Sequence, residues 1–310
     1  MILITGATGY IGSSLTGFFV SRGVPVRAVD DFSVGGIRSI KGVEVLRKDV
    51  TEVEDVREMV EGVSVVIHLA AISDVSRCQL HRKEALLTNV LSLKYLIDEG
   101  KKAGVSKFIF PSSFTVYGAG GGNIHEELPV EPFNFYGQMK VWCEELLLSE
   151  QQKGHLDTVI FRQSNVCGSG EQPKSTVVET FCGSAVRREP IVIHGSGNQV
   201  RNFVHIRDLL EAYYRAAMEK VSGVINGAGH GSVSIRQIAD WVNEECRQRL
   251  GHQVPIIHRH QTVVGHERET ESLDCEPRRL IRLLGSRPLL TVRDAIREYF
   301  SAEEKENYST

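Results

Sequence analysis

Tyr136 and Lys140 stand four residues apart, and Ser113 lies upstream of both. A phenol transfers protons near neutral pH only when neighbouring positive charge lowers its pKa from about 10. A lysine one helical turn away can supply such charge. Bringing the phenol to about 7 takes roughly 4 kcal/mol, at about 1.36 kcal/mol per unit, which is more than one exposed ammonium gives. A second cation, such as an oxidised nicotinamide, is the natural co-contributor. Pairs at i and i+4 also occur on ordinary surface helices, so this one acquires meaning only from the elements around it.

Those elements begin with Met1 to Thr5 (MILIT), an apolar run suited to a strand buried on both faces. It leads into Gly6-Ala7-Thr8-Gly9-Tyr10-Ile11-Gly12 and then a helical pattern through Leu15, Phe18 and Phe19. Gly6, Gly9 and Gly12 let the chain turn tightly, let backbone approach a pyrophosphate, and let the new helix pack closely on the sheet. The amides at the helix start, around Tyr10 and Ile11, would hold the phosphates. A second strand, Val24 to Val29, ends at Asp30, in place to accept hydrogen bonds from an adenosine ribose. A phosphate on that ribose would sit against Asp30, and against Asp31 beside it. Two unit charges about 4 Å apart repel by up to about 4 kcal/mol at an effective dielectric of about 20, so NAD is expected over NADP.

Composition sets the class. A length of 310 residues with 41% hydrophobic residues allows a substantial core in one large α/β unit or two lobes. The net charge of −3 provides no basic field for nucleic acid or anionic membrane. No apolar run nears the roughly 20 residues needed to span a bilayer, and no charged-then-apolar leader is read at Met1. The six cysteines, at positions 78, 143, 167, 182, 246 and 275, lack metal or disulfide spacing, and reduced thiols in a cytoplasmic protein are expected. Four histidines between His252 and His266 lack a ligand frame, so no metal is expected. Strand-like runs at Val63 to Leu69, Lys107 to Pro111 and Thr158 to Phe161 alternate with helix-like stretches, the pattern of a doubly wound parallel α/β sheet.

Further segments fall in a recognisable order: Lys48-Asp49-Val50, His68-Leu69-Ala70-Ala71, and Asn89 within Thr-Asn-Val. They are followed by Phe110-Pro111-Ser112-Ser113-Phe114-Thr115-Val116-Tyr117-Gly118, by Arg162-Gln163-Ser164-Asn165-Val166-Cys167-Gly168, and by the stretch from Gly195 to Asp208. Together with the glycine turn and the Tyr136–Lys140 pair, they make the sequence resemble an extended short-chain dehydrogenase/reductase of the nucleotide-sugar epimerase/dehydratase family, over nearly the whole chain. The resemblance implies a Rossmann-type NAD-binding domain over 1–165, to which segments near 200–228 return, and a smaller substrate-binding lobe mainly within 166–310. It places cofactor contacts on Gly6, Gly9, Tyr10, Ile11, Gly12, Asp30, Asp31, Ser33, Gly35, Asp49, Val50, Leu69, Ala70, Ala71, Asn89, Tyr136 and Lys140. Catalysis falls on Ser113, Tyr136 and Lys140, and substrate binding on Ser113, Thr115, Asn165, Arg201 and Arg268. Arg201 would bind the substrate diphosphate, a role that suits a planar guanidinium fork. Two departures stand out: Cys167 replaces the usual Tyr, and Arg268-Glu269-Thr270-Glu271 replaces Arg-Pro-Gly-Asp.

The family's sugar 4,6-dehydratases follow the catalytic hydroxyl with an Asp-Glu pair, because eliminating water needs an acid and a base. Decarboxylating relatives place a Glu in the same loop. Here those positions are Phe114 and Thr115. The resemblance is therefore strongest to the UDP-glucose 4-epimerases: oxidation at carbon 4 of a UDP-hexose and return of hydride to the opposite face. A net NAD-dependent oxidoreductase, an epimerase acting at another position, and a dinucleotide-sensing protein without activity remain the alternatives. Relatives pair the helices carrying the Asn89 and Tyr136 equivalents across a two-fold axis. Here Leu86, Leu87, Leu91, Tyr95, Val141, Trp142, Leu146 and Leu147 exceed what one core face requires, so a homodimer is expected.

Overall fold

A computed structural model describes residues 1–118, 122–172, 176–259, 273–285 and 290–307. Its strands, in chain order, are β1 (Ile2–Thr5), β2 (Val26–Asp30), β3 (Ser39–Ile40), β4 (Val43–Arg47), β5 (Val65–His68), β6 (Lys107–Ser113), β7 (Gly122–Ile124) and β8 (Asp157–Gln163). They continue with β9 (Asn165–Cys167), β10 (Ile191–His194), β11 (Val200–His205), β12 (Gly223–Gly227), β13 (Ser232–Ser234), β14 (Ile256–Arg259) and β15 (Leu273–Cys275).

Eight of these strands form one sheet in the order β12-β8-β6-β5-β1-β2-β4-β3, parallel throughout except for the β3–β4 pair. Every residue of β1 is buried, as an apolar run between two parallel neighbours requires. Its side chains alternate between layers. Ile2 and Ile4 face a cluster with Leu15, Phe19, Leu209 and Tyr213, from the helices Tyr10–Val20 and Ile206–Met218. Leu3 faces a second cluster with Met59, Leu93, Leu96, Cys143 and Leu147, from the helices Val53–Val60, Ser92–Ala103 and Phe135–Gln152. The expected doubly wound sheet is thus present, with helices on both faces. The chain runs from β1 outward to β2 and β4, then crosses back to β5. The order therefore reverses between β1 and β5, and a crevice opens at their carboxyl ends.

A third core, including Phe181, Ile191, Ile193, Ile238, Val242 and Phe300, joins the helices Val177–Val186, Ile235–Leu250 and Val292–Asn307 to the parallel pair β10–β14. Between this core and the main sheet lies the small sheet β13-β11-β9. Among the described residues no helix is long and apolar enough to cross a membrane.

Candidate active site

The crevice wall on the β1 side is set by backbone contacts. Gly6 has φ +67°, and a Cβ there would lie 2.6 Å from the Ala70 nitrogen and 2.8 Å from the Leu69 carbonyl carbon. A Cβ on Gly12 would lie 2.0 Å from the Gly6 oxygen. Gly9 meets only the Gly6 oxygen, at 3.4 Å, so at that residue the outer side of the turn stays open. The Tyr10–Val20 helix starts there with no side-chain cap, and a helix N-terminus of this kind favours an anion.

Asp30 ends β2 with Oδ2 accepting from Thr8 N at 2.9 Å and Oδ1 accepting from Phe32 N at 2.8 Å. Each oxygen keeps a lone pair for a ribose hydroxyl. Asp31 is turned instead to Ser33, accepting from its amide at 2.9 Å and its hydroxyl at 2.7 Å. Gly35 closes this loop against the glycine turn, since a Cβ there would lie 2.4 Å from Thr8 Oγ1. Asp49 is spent within its own turn, accepting from Thr51 N at 2.8 Å, and Val50 is buried. Ala71 is exposed just beyond Ala70.

Across the crevice the Phe135–Gln152 helix is started by Asn134, whose side chain accepts from Gly137 N at 2.7 Å. Two contacts lay its first turns along the end of β6. Lys140 Nζ donates to the Pro111 carbonyl at 2.7 Å, and a Cβ on Gly137 would lie 2.8 Å from the Thr115 oxygen. Ser113 falls between these two anchor points, so the geometry brings Ser113, Tyr136 and Lys140 to one place. Ser113 Oγ accepts from Thr115 N at 3.2 Å, which leaves its own proton to donate.

Electrostatics differ from the sequence expectation. Burial pushes Lys140 down to about 8, and burial pushes Tyr136 up, with Cys78 and Cys143 adding to the effect. The Lys140 ammonium lies 5.6 Å from the Tyr136 ring centroid and 4.5 Å from that of Phe110, and it donates a hydrogen bond to the Pro111 carbonyl. Loss of water around the phenol therefore outweighs the ammonium, and the protein's own groups do not lower the Tyr136 pKa.

Asn89 sits in a π-turn over Leu87–Leu91, and its side-chain amide is held by Ile72, accepting from the Ile72 amide at 2.8 Å and donating to the Ile72 carbonyl at 2.9 Å. Its own carbonyl accepts the Cys143 thiol at 3.1 Å. Asn89 therefore pins the segment that follows Ala71 against the catalytic helix. His68, buried and pushed down to about 3 by that burial with Lys140 adding, stays neutral between Thr5 Oγ1 at 2.8 Å and Ser92 Oγ at 3.3 Å.

Asn165 and Arg201, the residues expected to meet substrate, lie on the short strands β9 and β11. Asn165 Nδ2 donates to the Asn202 carbonyl at 3.2 Å, and Arg201 Nη1 donates to the Val200 carbonyl at 2.9 Å. Asn202 is 1% exposed and holds the turn after β12, donating to the Gly229 and Gly231 carbonyls and accepting from Gly229 N. Thr115 Oγ1 is buried with no hydrogen-bond partner among the described residues. Phe114 is buried against Tyr117, ring centroids 5.7 Å apart, in a cluster with Val116, Ile124 and Val141. Its side chain is thus core. Cys167 is likewise buried in the third core. Arg268 and the loop to Glu271 lie outside the described residues.

The model of the NAD dependent epimerase/dehydratase family matches residues 2–228. The chain belongs to that family. A UDP-glucose 4-epimerase of Azospirillum brasilense is 28% identical over 307 residues, covering 89% of this chain and 87% of its own length. A UDP-N-acetyl-alpha-D-glucosaminuronate decarboxylase of Bacillus cytotoxicus is 30% identical, covering 78% of this chain and 79% of its own. The solved structure of MoeE5 in complex with UDP-glucuronic acid and NAD superposes with a TM-score of 0.86 at 25% identity, covering 98% of this chain and 99% of that one. The family's cofactor fits the residues present. The open side of Gly9, the uncapped start of the Tyr10–Val20 helix and the fixed Asp30 carboxylate follow one another in the order that NAD requires.

Two residues that the structure joins to this site have no role from the sequence: Glu144, which the motifs leave out, and Arg162, which enters only as the start of the segment 162–168. The available signal was spacing, because Tyr136, Lys140 and Glu144 recur every four positions and so share a helix face.

Proposed function

We propose that the protein is an NAD-dependent nucleotide-sugar epimerase that inverts carbon 4 of a UDP-hexose. One observation supports this above the others. The site assembles a single proton-transfer hydroxyl group around Ser113 and Tyr136, while the loop where eliminating or decarboxylating relatives carry acids offers Phe114, buried in core, and Thr115. A second acid/base pair is what elimination would need.

Bound NAD supplies a reversible hydride acceptor. Tyr136 takes the proton of the sugar's 4-hydroxyl and later returns it, and Ser113 donates a hydrogen bond to the same oxygen as charge develops there. Lys140 would hold the cofactor's ribose, and its ammonium, together with the charge of the cofactor, offsets the burial that raises the Tyr136 pKa. Arg201 and Asn165 would grip the nucleotide diphosphate and leave the sugar free to turn. In this reading the cofactor lobe is 1–165 with the return near 200–228, and the remainder caps the substrate.

Incubation with a panel of UDP-, GDP-, dTDP- and CDP-sugars, read by NMR of the sugar configuration, tests the assignment. The expected result is inversion at carbon 4 of a UDP-sugar, without accumulation of NADH. Inversion elsewhere, or stoichiometric NADH, would replace it.

The chain is further proposed to pair with a second copy through the helices around Asn89 and Tyr136, where Leu87, Leu91 and Trp142 are 36%, 43% and 36% exposed. Sedimentation equilibrium should give twice 34.5 kDa, and a mass of one chain would refute the pairing.

A further inference from the structure

The catalytic helix carries a third polar residue on the face of Tyr136 and Lys140. Glu144 is 3% exposed, and its partners come from two strands of the main sheet. Ser112, the neighbour of Ser113 on β6, donates its hydroxyl to Glu144 Oε1 at 2.5 Å. Arg162 on β8 donates to both carboxylate oxygens through Nε at 3.1 Å and to Oε2 through Nη2 at 2.7 Å. Ser112 and Arg162 are opposite each other in the β6–β8 register. Apolar residues of similar volume would fix the helix equally well, so the charges themselves need a reason.

Lys140 supplies one. The groups around it are Tyr136, Cys143 and Glu144 on its own helix, Cys78 from the Val75–Leu80 helix, His68 from β5, and the Pro111 carbonyl and Phe110 ring from β6. Burial raises both thiols and Tyr136, and keeps His68 neutral. Among these groups Glu144 is the one carboxylate, and Arg162 is the cation paired with it at 2.7 Å.

We propose that Glu144 and Arg162 are positioning residues that act through Lys140: their buried ion pair sets the charge balance around the ammonium and, with it, the alkaline limit of the site. The inference rests on the role given to Lys140 above. Lys140 and Glu144 lie one helical turn apart and bond to neighbouring residues of β6, Lys140 to the Pro111 carbonyl and Glu144 to the Ser112 hydroxyl, so a change of charge at Glu144 acts on the ammonium at short range. Removing the Glu144 charge leaves Arg162 uncompensated, and both effects disfavour the ammonium. Removing the Arg162 charge leaves either an unbalanced carboxylate or a neutral acid, and neither repels it.

The test follows the side-chain Cε resonance of Lys140 against pH in protein labelled with 13C-lysine, assigned by loss of the signal in Lys140→Met. In Glu144→Gln the midpoint should fall by about one unit, the size of one nearby charge at intermediate dielectric. In Arg162→Met it should stay at or above the wild-type value. A loosened fold would rehydrate Lys140 and raise the midpoint in both variants, so a rise or no fall in Glu144→Gln overturns the proposal, as does a fall in both variants. If Glu144→Gln does not fold, the same substitution is read in the Arg162→Met background, where a fall supports the role and its absence overturns it. The alkaline limb of kcat should move in step with the resonance. If the resonance behaves as stated but no nucleotide sugar is turned over, the assigned activity fails and the ion-pair inference stands.

Discussion

Around the glycine turn the geometry is set mainly by close approach to the glycine backbone, and around β9 and β11 by side chains bonded to backbone. Gly6 touches Leu69 and Ala70, Gly12 touches Gly6, and Gly35 touches Thr8 so closely that no Cβ fits at any of the three. Asn165, Arg201 and Asn202 instead reach their positions through amide and guanidinium bonds from their side chains to backbone, Asn202 through several. The first arrangement fixes the backbone on both sides of the turn, and the second fixes individual side chains; the proposed reaction asks for the same division, a cofactor that stays in place and a sugar that presents both faces.

The contrast is sharpest at the catalytic helix, which serves both sides. Tyr136→Phe keeps the ring and removes the proton relay, so kcat should fall by about 100-fold or more, within the range of 10²–10⁴ for general acid/base groups. NAD content should not change, because the glycine turn and Asp30 are untouched. Near-native turnover with NAD bound would remove Tyr136 from the mechanism. The glycine-turn side should also discriminate strongly. NAD should bind about 100-fold more tightly than NADP, a part of the Coulomb estimate after screening, and calorimetry showing equal affinities would withdraw the role of Asp30.

Arg201→Ala probes the other side. Loss of a charge-assisted bond worth roughly 1.5–3 kcal/mol should raise KM for the nucleotide sugar about 10- to 100-fold and leave NAD content unchanged. Loss of NAD along with substrate affinity would show that the two sides are not separable.

These differences also explain what the sequence made legible. Glycines at 6, 9 and 12 followed by Asp30 state a backbone requirement directly in residue types, so the doubly wound sheet and its crevice could be read from the chain. Phe114 could not be placed, because strand alternation ends at Ser113 and the next residues enter a 3-10 turn that swings the ring into the core. The upward shift of Tyr136 was also hidden, since desolvation depends on Cys78 and Met139 arriving from other parts of the chain and of the helix. Asn89 was recognisable as a position, but its bonding to Ile72 follows from the π-turn. Glu144 has its partner on β8, which sequence spacing does not bring to mind.

The smallest predicted effect is on stability. His68 sits at the end of β5 where both sides meet, and its neutral form is held down to about pH 3, whereas an unfolded histidine takes up its proton near 6.5. The unfolded state therefore binds more protons as pH falls through that window, and stability is lost from about 6.5 downward. Urea unfolding should show a loss of about 2 kcal/mol between pH 7 and 5 from this residue, absent in His68→Gln. An equal slope in the variant would assign the loss to other groups.

The central claim is that one hydride leaves carbon 4 and returns to it on the other face without exchange. UDP-glucose deuterated at carbon 4 tests this directly, with the product followed by NMR and mass spectrometry. The account predicts UDP-galactose that keeps its deuterium at carbon 4, with enzyme-bound NAD unchanged at the end of the reaction. Product that has exchanged its label with water, or label that accumulates in released NADH, would contradict it.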